Sequence, residues 1–302
     1  RSRGGRGLTS MTDEELEREI RRLLEEYIRA MVPDLTQLTG RFRYQLERLT
    51  AVLLLVVRHV GEDFDQSLFQ AAGMEVPVGP DGMVHPAPLT AQDGTPVVIR
   101  GKIDRVDLFA KGEDRYARVV DYKSGGKDFR LEEVFHGLNM QMLIYLFALC
   151  DDPRSPFGPV KPAGILYMPG KVSPAELPSS ADASQVRSQV DGSLRMKGMV
   201  LDDPDVLEAM ERELAGRYIP VKKKKGGGHT AASKVGSAGE FRRIREAVYD
   251  RITQMADALT KGEIAPFPVH SGNLNPCDYC DYGILCNNRN TPLFRDIAGK
   301  GT

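Results

Sequence analysis

Apolar side chains return every three or four positions between residues 12 and 31, where Leu16, Ile20, Leu23, Leu24, Tyr27, Ile28 and Met31 share one face. That period predicts an amphipathic helix. Thr12 and Glu15 stand at capping-box spacing at its start, and Met11 can staple onto Leu16. A second helix is expected from Phe42 to Val60. Its latter half is apolar all round, so it should lie deep in the fold. The period then shortens. "GMEVPVGPDG" predicts a short strand and a turn, since Pro-Asp-Gly is turn chemistry. Val97–Phe109 and Tyr116–Lys123 are strand candidates, and the polar "AKGED" between them fits a hairpin. A helix over Leu131–Leu149 and a buried strand at 163–168 follow. Residues 170–200, rich in Ser, Pro and Gly, are expected as surface loop. Helices return at Pro204–Leu214 and Glu240–Lys261, the latter stopped by Gly262. The order gives an α/β core with helical flanks, and no internal repeat is visible.

Composition narrows this. The chain has 302 residues, of which 41% are hydrophobic, enough for one large core or two smaller ones. A formal net charge of -1 argues against a wholly basic nucleic-acid coat, but leaves room for a local basic groove. The longest apolar run, Leu49–Val57, is too short to span a bilayer. The start, "RSRGGR", is basic, has no apolar stretch behind it and is expected to be a disordered end. Four cysteines at uneven spacing do not form a secreted disulfide framework, and the cytoplasm is the expected compartment. Lys222–Lys225 reads as a solvated loop or as a phosphate contact.

The candidate chemistry sits in "VVDYKSGG", residues 119–126. Residues two apart on a strand share a face, so Asp121 and Lys123 point one way and Tyr122 the other. If "GKIDRVDLF" pairs with it antiparallel, Asp104 can lie near Asp121, in a register that a one-residue slip would flip. Two carboxylates repel unless a cation sits between them. An all-oxygen ligand set suits Mg²⁺ or Mn²⁺. A neighbouring lysine can orient or help deprotonate an attacking water and offset charge on a phosphate. The plain alternative is a strand-edge ion pair, with Asp104 and Asp107 pairing Arg105 or Arg118 on a solvated face. In "GLNMQMLIYL", Gln141 and Tyr145 lie at i, i+4 on one side of a helix. They mark a helix edge, or they reach a metal site or a DNA backbone.

"GKIDRVD", "VVDYKSG" and "GLNMQMLIYL" together resemble the RecB-type branch of the PD-(D/E)XK nucleases. The similarity is nearest to the AddB family, deoxyribonuclease subunits of helicase–nucleases. It continues through "KGMVLDDPDVLEAM", "IPVKKKKGG" and "NPCDYCDYGILC", and covers most of residues 40–290. The resemblance implies a restriction-endonuclease-like fold, a mixed β-sheet core flanked by helices. It implies a helical part at 1–60, a nuclease core at 61–170, loop and C-terminal helices at 171–262, and a cysteine segment at 263–302. It makes Asp104 and Asp121 metal ligands, Lys123 the catalytic lysine, and the Tyr122 carbonyl a further metal contact. Gln141 and Tyr145 match the family's Gln-x-x-x-Tyr motif, and Glu75 resembles its upstream acidic residue. The implied activity is Mg²⁺-dependent cutting of single-stranded DNA during double-strand-break processing, with an AddA-like helicase–nuclease subunit as heterodimeric partner. Alternatives are a free-standing Fe–S exonuclease of the CRISPR-associated type and a non-catalytic DNA-end-binding scaffold. The presence of Asp104, Asp121 and Lys123 together counts against the scaffold. No Walker-type loop occurs, so ATP hydrolysis is not expected of this segment.

Cys277-x₂-Cys280-x₅-Cys286 is the second signal. Thiolates so spaced commonly converge on one metal centre, and three leave it a ligand short. The resemblance implies a structural [4Fe–4S] cluster whose fourth cysteine comes from far upstream. Zinc completed by His270 is the alternative, and unligated cysteines are another. The family's metal-binding His and that fourth cysteine are expected before residue 1. The chain, which lacks an initiator Met, is therefore expected to be a piece of a longer protein. His59 reads as structural and Cys150 as a packing residue.

Overall fold

The structure is a computed structural model and describes residues 7–31, 39–123, 125, 129–172, 183–270, 275–286 and 295–297. The "RSRGGR" end lies outside them. Helix α1 (Asp13–Met31) starts at the expected box: Thr12 N–H donates to Glu15 Oε2 at 2.8 Å, and Glu15 N–H to Thr12 Oγ1 at 3.2 Å. Its apolar face is only half covered. Leu16 and Ile20 are buried, whereas Leu23, Tyr27 and Met31 are exposed. Arg58 ties the start of α1 to helix α2 (Gly40–Gln66) through Asp13 at 2.7 Å and the Leu8 carbonyl at 2.9 Å.

Helix α2 runs six residues past the expected end and does not lie deep. Val56, His59, Asp63 and Phe64 are buried, but Leu49 and Leu55 face outward. A helix laid on one sheet face buries a stripe, so an all-round apolar sequence still leaves an outer side.

Strand β1 (Gln70–Val78) follows, then the expected turn, closed by Gly82 N–H donating to the Gly79 carbonyl at 3.0 Å. A small pair, β2 (Leu89–Thr90) and β3 (Pro96–Val97), precedes the main hairpin. That hairpin joins β4 (Gly101–Lys111) to β5 (Asp114–Lys123). Lys111 pairs with Asp114 across a two-residue turn, in which Gly112 takes a φ of 61° that favours glycine.

The helix expected over 131–149 is two helices, α3 (Leu131–Phe135) and α4 (Gln141–Asp151). Gly137 and Asn139 between them have φ of 86° and 54°, which no helix carries. Strand β6 (Lys161–Pro169) is buried as expected. The expected surface loop at 170–200 instead contains helix α5 (Ala183–Leu194) and strand β7 (Lys197–Leu201), with residues 173–182 outside the described set. The core sheet thus extends past residue 170. Helix α6 (Pro204–Met210) is capped by Asp203, which accepts from Asp205 N at 3.0 Å and Val206 N at 3.1 Å. It stops short of Leu214, because the backbone turns extended at Glu211 (φ −143°, ψ 107°). Lys222–Lys225 form the exposed arm of a hairpin bridged between Lys223 and His229.

Strand β8 (Val235–Gly236) leads into α7 (Ala238–Thr260), which has a full capping box of Ser237 and Glu240 and ends before Gly262 at φ 72°. The cysteine segment holds β9 (Val269–His270), a 3₁₀ turn (Pro276–Tyr279) and β10 (Arg295–Asp296).

The central sheet has the order β1-β4-β5-β6-β7-β8. Pairing is antiparallel except for β5–β6 and β7–β8, so the sheet is mixed. Helix α2 meets one face through Phe64 and Asp63, against Arg105 and Arg118, with α5 beside it, and α4, backed by α7, covers the other. Buried between them are Val106, Val119, Val120, Leu143, Leu146, Ile165 and Leu166. This is the flanked mixed sheet expected from the sequence. No helix among the described residues is long and apolar enough to cross a membrane.

Candidate active site

Strand β5 is central and covered on both faces, so its alternation decides what each residue can do. The β4–β5 register pairs Arg105 with Val120 and Val106 with Val119. Continued by one residue, it sets Asp104 opposite Asp121 on the same face, with Lys123 two residues on. Asp121 is 6% exposed. Its Oδ2 atom lies 2.7 Å from Lys123 Nζ, an ion pair, yet that buried oxygen takes part in no directed hydrogen bond. Asp104 Oδ2 accepts the backbone N–H of Tyr122 at 2.9 Å, which pins the carboxylate beside the end of β5. The Asp121 carboxylate and that of Asp104 on the neighbouring strand are oxygen groups of the kind a hard divalent cation takes, and the Lys123 ammonium is the positive charge that balances Asp121 here.

The other sequence-predicted residues sit around this pair. Glu75 lies opposite Asp104 when the β1–β4 register is read across, at a positive φ of 53°, and its exposed carboxylate is ion-paired with Lys102. The Glu75 carboxylate, and more weakly that of Asp104, raises the Lys102 pKa. The Tyr145 hydroxyl accepts N–H bonds from Gln141 Nε2 at 3.2 Å and from Lys102 N at 3.3 Å. The motif on α4 is thereby locked to the start of β4. A Cβ at Gly101 would come within 2.0 Å of that hydroxyl, so only glycine lets the helix approach this closely. His59 faces elsewhere: it is buried against Tyr218 and lies 3.3 Å from Asp191, and burial lowers its pKa despite that carboxylate. Its structural reading agrees with this placement.

Sequence reasoning missed Tyr167 and Glu133. Tyr167 pairs with Asp121 across β5–β6, and its phenol pKa is raised, first by burial, then by the charges of Asp121 and Glu133. The signal was available, since "AGILYM" carries one polar tip in an apolar strand.

The plain alternative, a solvated ion-pair face, holds in its pairing for Asp107 but not in its exposure. Asp107, Arg105 and Arg118 are not a solvated face but are at most 1% exposed. Arg118 Nε donates to Asp107 Oδ2 at 2.9 Å and its Nη2 to Asp63 Oδ2 at 3.3 Å. Arg105 Nε lies 3.0 Å from Asp107 Oδ1 as a charge contact, and its Nη1 donates to the Tyr122 hydroxyl at 2.6 Å. The network fills the face toward α2, where Phe64 and Phe69 rings cover the two guanidiniums. The Tyr122 side chain is 40% exposed, but its hydroxyl end enters this network; desolvation there raises its pKa while Arg105 pulls it down.

Cys277, Cys280 and Cys286 line one cavity of about 360 Å³ with Pro266 and Phe267. They do not converge as a ligand set: among the described residues no three His, Cys, Asp or Glu side chains form a metal-holding group. Cys150 lines a different cavity, with Phe147 and Phe241, and burial pushes its thiol pKa up to about 12.

Residues 6–287 match the PD-(D/E)XK nuclease superfamily. The chain is 31% identical to the B-type subunit of an ATP-dependent helicase/deoxyribonuclease from Thermoanaerobacter sp. (strain X514), over 91% of this chain and 24% of that protein. It is 32% identical to the protein of the same name from Clostridium acetobutylicum, over 91% of this chain and 24% of that protein. For that of Clostridium novyi the identity is 33%, over 82% of this chain and 22% of that protein. The chain thus spans about a quarter of the length of these curated relatives.

Proposed function

We propose that this chain, which belongs to the PD-(D/E)XK nuclease superfamily, hydrolyses the phosphodiester bonds of single-stranded DNA with Mg²⁺ or Mn²⁺ held by Asp104 and Asp121. What carries the reading is the pair of carboxylates, Asp121 buried at the end of β5 and Asp104 across the ladder from it, with the Lys123 ammonium 2.7 Å from Asp121. The Tyr122 carbonyl offers a further oxygen. A bound divalent cation supplies Lewis-acid polarisation of the phosphate and a lowered pKa for a coordinated water.

The chain's own residues do the rest. Asp104 stays aimed because the Tyr122 N–H holds it. The Lys123 ammonium stands where negative charge builds on a phosphate, and it is worth most in a site shielded from water. Gln141 is exposed at the head of α4 and can reach a DNA backbone, while Tyr145 fixes β4 two residues before Asp104. Glu75 holds Lys102 beside the site, and it reaches the cation only by giving up that pair.

The name of the relatives supports a helicase-coupled role. On this reading the chain is the nuclease part of an AddB-like protein, paired with an AddA-like helicase–nuclease subunit in the cytoplasm. It would trim strands at double-strand breaks for recombination. The cysteine segment would carry a [4Fe–4S] cluster completed by a cysteine outside this chain, drawing its three thiols together from one cavity wall.

The test is cleavage of end-labelled single-stranded DNA with Mg²⁺ by the chain and its Asp121→Ala variant. Cutting that needs Mg²⁺ and disappears in Asp121→Ala is expected. Equal cutting by both would overturn the assignment.

A further inference from the structure

We infer that Arg105, from the opposite face of the sheet, is a positioning residue for the cation site and acts through Tyr122. The inference rests on the site proposed above. Tyr122 belongs to both faces at once. Its backbone N–H donates to Asp104 at 2.9 Å on the carboxylate side, while its side-chain hydroxyl accepts from Arg105 at 2.6 Å on the α2 side. Residue 122 lies between Asp121 and Lys123, so its backbone angles set where both neighbours point. Fixing its ring therefore fixes the donors.

Arg105 is itself held. Asp107 lies 3.0 Å from its Nε, and the guanidinium sits 4.9 Å from the Phe64 ring centre and 5.6 Å from that of Tyr122. Asp107 is shared with Arg118, which is anchored to Asp63 of α2 at 3.3 Å. Clamping this end of the strand matters because β5 stops at Lys123. The backbone bond from Gly170 N–H to the Lys123 carbonyl at 2.8 Å secures one side, and the Tyr122 ring secures the other.

Two guanidiniums and two carboxylates in this layer cost more to desolvate than hydrophobic residues of similar volume. Packing alone does not call for them. A directed clamp on the strand end does, in the way that outer hydrogen bonds orient metal ligands elsewhere.

The experiment titrates Mn²⁺ into the full chain without DNA, by calorimetry, for wild type, Tyr122→Phe, Tyr122→Leu and Asp121→Ala. Tyr122→Phe removes only the hydroxyl and should weaken Mn²⁺ binding about 10-fold, with an unchanged KM for DNA and a melting temperature lowered by no more than one buried hydrogen bond and still well above the assay temperature. Cutting by this variant should recover at saturating cation. Tyr122→Leu, which also removes the ring over Arg105, should weaken binding further. Mn²⁺ affinity of Tyr122→Phe within about twofold of wild type would overturn the inference, as would a loss of affinity that merely follows a drop in melting temperature. Asp121→Ala separates the two ideas. If it still binds Mn²⁺ and cuts, the site reading fails. If it is inert while Tyr122→Phe is unaltered, only the clamp fails.

Discussion

Lys123 keeps its ammonium beside a buried carboxylate while about a third of its own side chain stays exposed (32%). It can therefore serve Asp121 before substrate arrives and a phosphate afterwards. Replacing it with Ala should lower the cleavage rate by about 100- to 1,000-fold, the usual loss when one charge-stabilising donor is removed. DNA binding should be largely spared, and the Mg²⁺ requirement should not rise, because a competing cation has left Asp121. Rates across a Mg²⁺ series with gel-shift binding would check both. Asp121 and Lys123 were legible in the sequence because a strand's period of two is local. Asp104 was legible only as a register, which hydrogen bonds fix and sequence does not. Arg105 and Asp107 were misplaced for a related reason. Charged residues alternating along a strand look like a solvent face until α2 is known to cover it.

Among elements, the β4–β5 hairpin and α4 were predicted well enough to assemble the site, and the break between α3 and α4 was not. Gly137 and Asn139 sit inside an apolar stretch whose period continues across them. The break lets α4 begin at Gln141, which puts that side chain on the first turn rather than in mid-helix. Helix α2 is joined to the hairpin through Asp63, Arg118 and Asp107, all nearly without solvent. Asp107→Asn would leave two buried guanidiniums short of a counter-charge. It should cost about 3–5 kcal/mol of stability, as breaking a buried pair by removing one partner does. Urea unfolding followed by circular dichroism would measure it.

For the whole molecule, the layered α/β plan was legible because the order of helical and strand periods constrains it. Strand β7 was not, since Ser-, Pro- and Gly-rich sequence before it masks a short buried run. The cysteine segment lies at the edge of the fold. Its Tyr279, Tyr282, Ile284 and Leu285 side chains are exposed, which suits a surface completed by something further. A longer form of the protein, purified without oxygen, is expected to carry iron and sulfide, and Cys280→Ser to lose both along with thermal stability and DNA affinity. Elemental analysis beside a melting curve would decide it; an iron-free protein that melts and binds like its Cys280→Ser variant would leave these thiols as packing groups.

The two-residue turn at Gly112-Glu113 has one more consequence. Strand β4 meets β5 after a very short loop, whereas β5 can pair with β6 only after the chain has passed through α3 and α4. Closing the short loop forfeits little chain entropy and closing the long one forfeits more. The hairpin is thus the cheaper contact to form first during folding. Asp104 and Asp121 are then brought face to face while water still surrounds them and can screen their repulsion. By the time α4 and β6 seal the site, the two like charges are already committed to their places, which on the proposed reading are those of the cation's ligands.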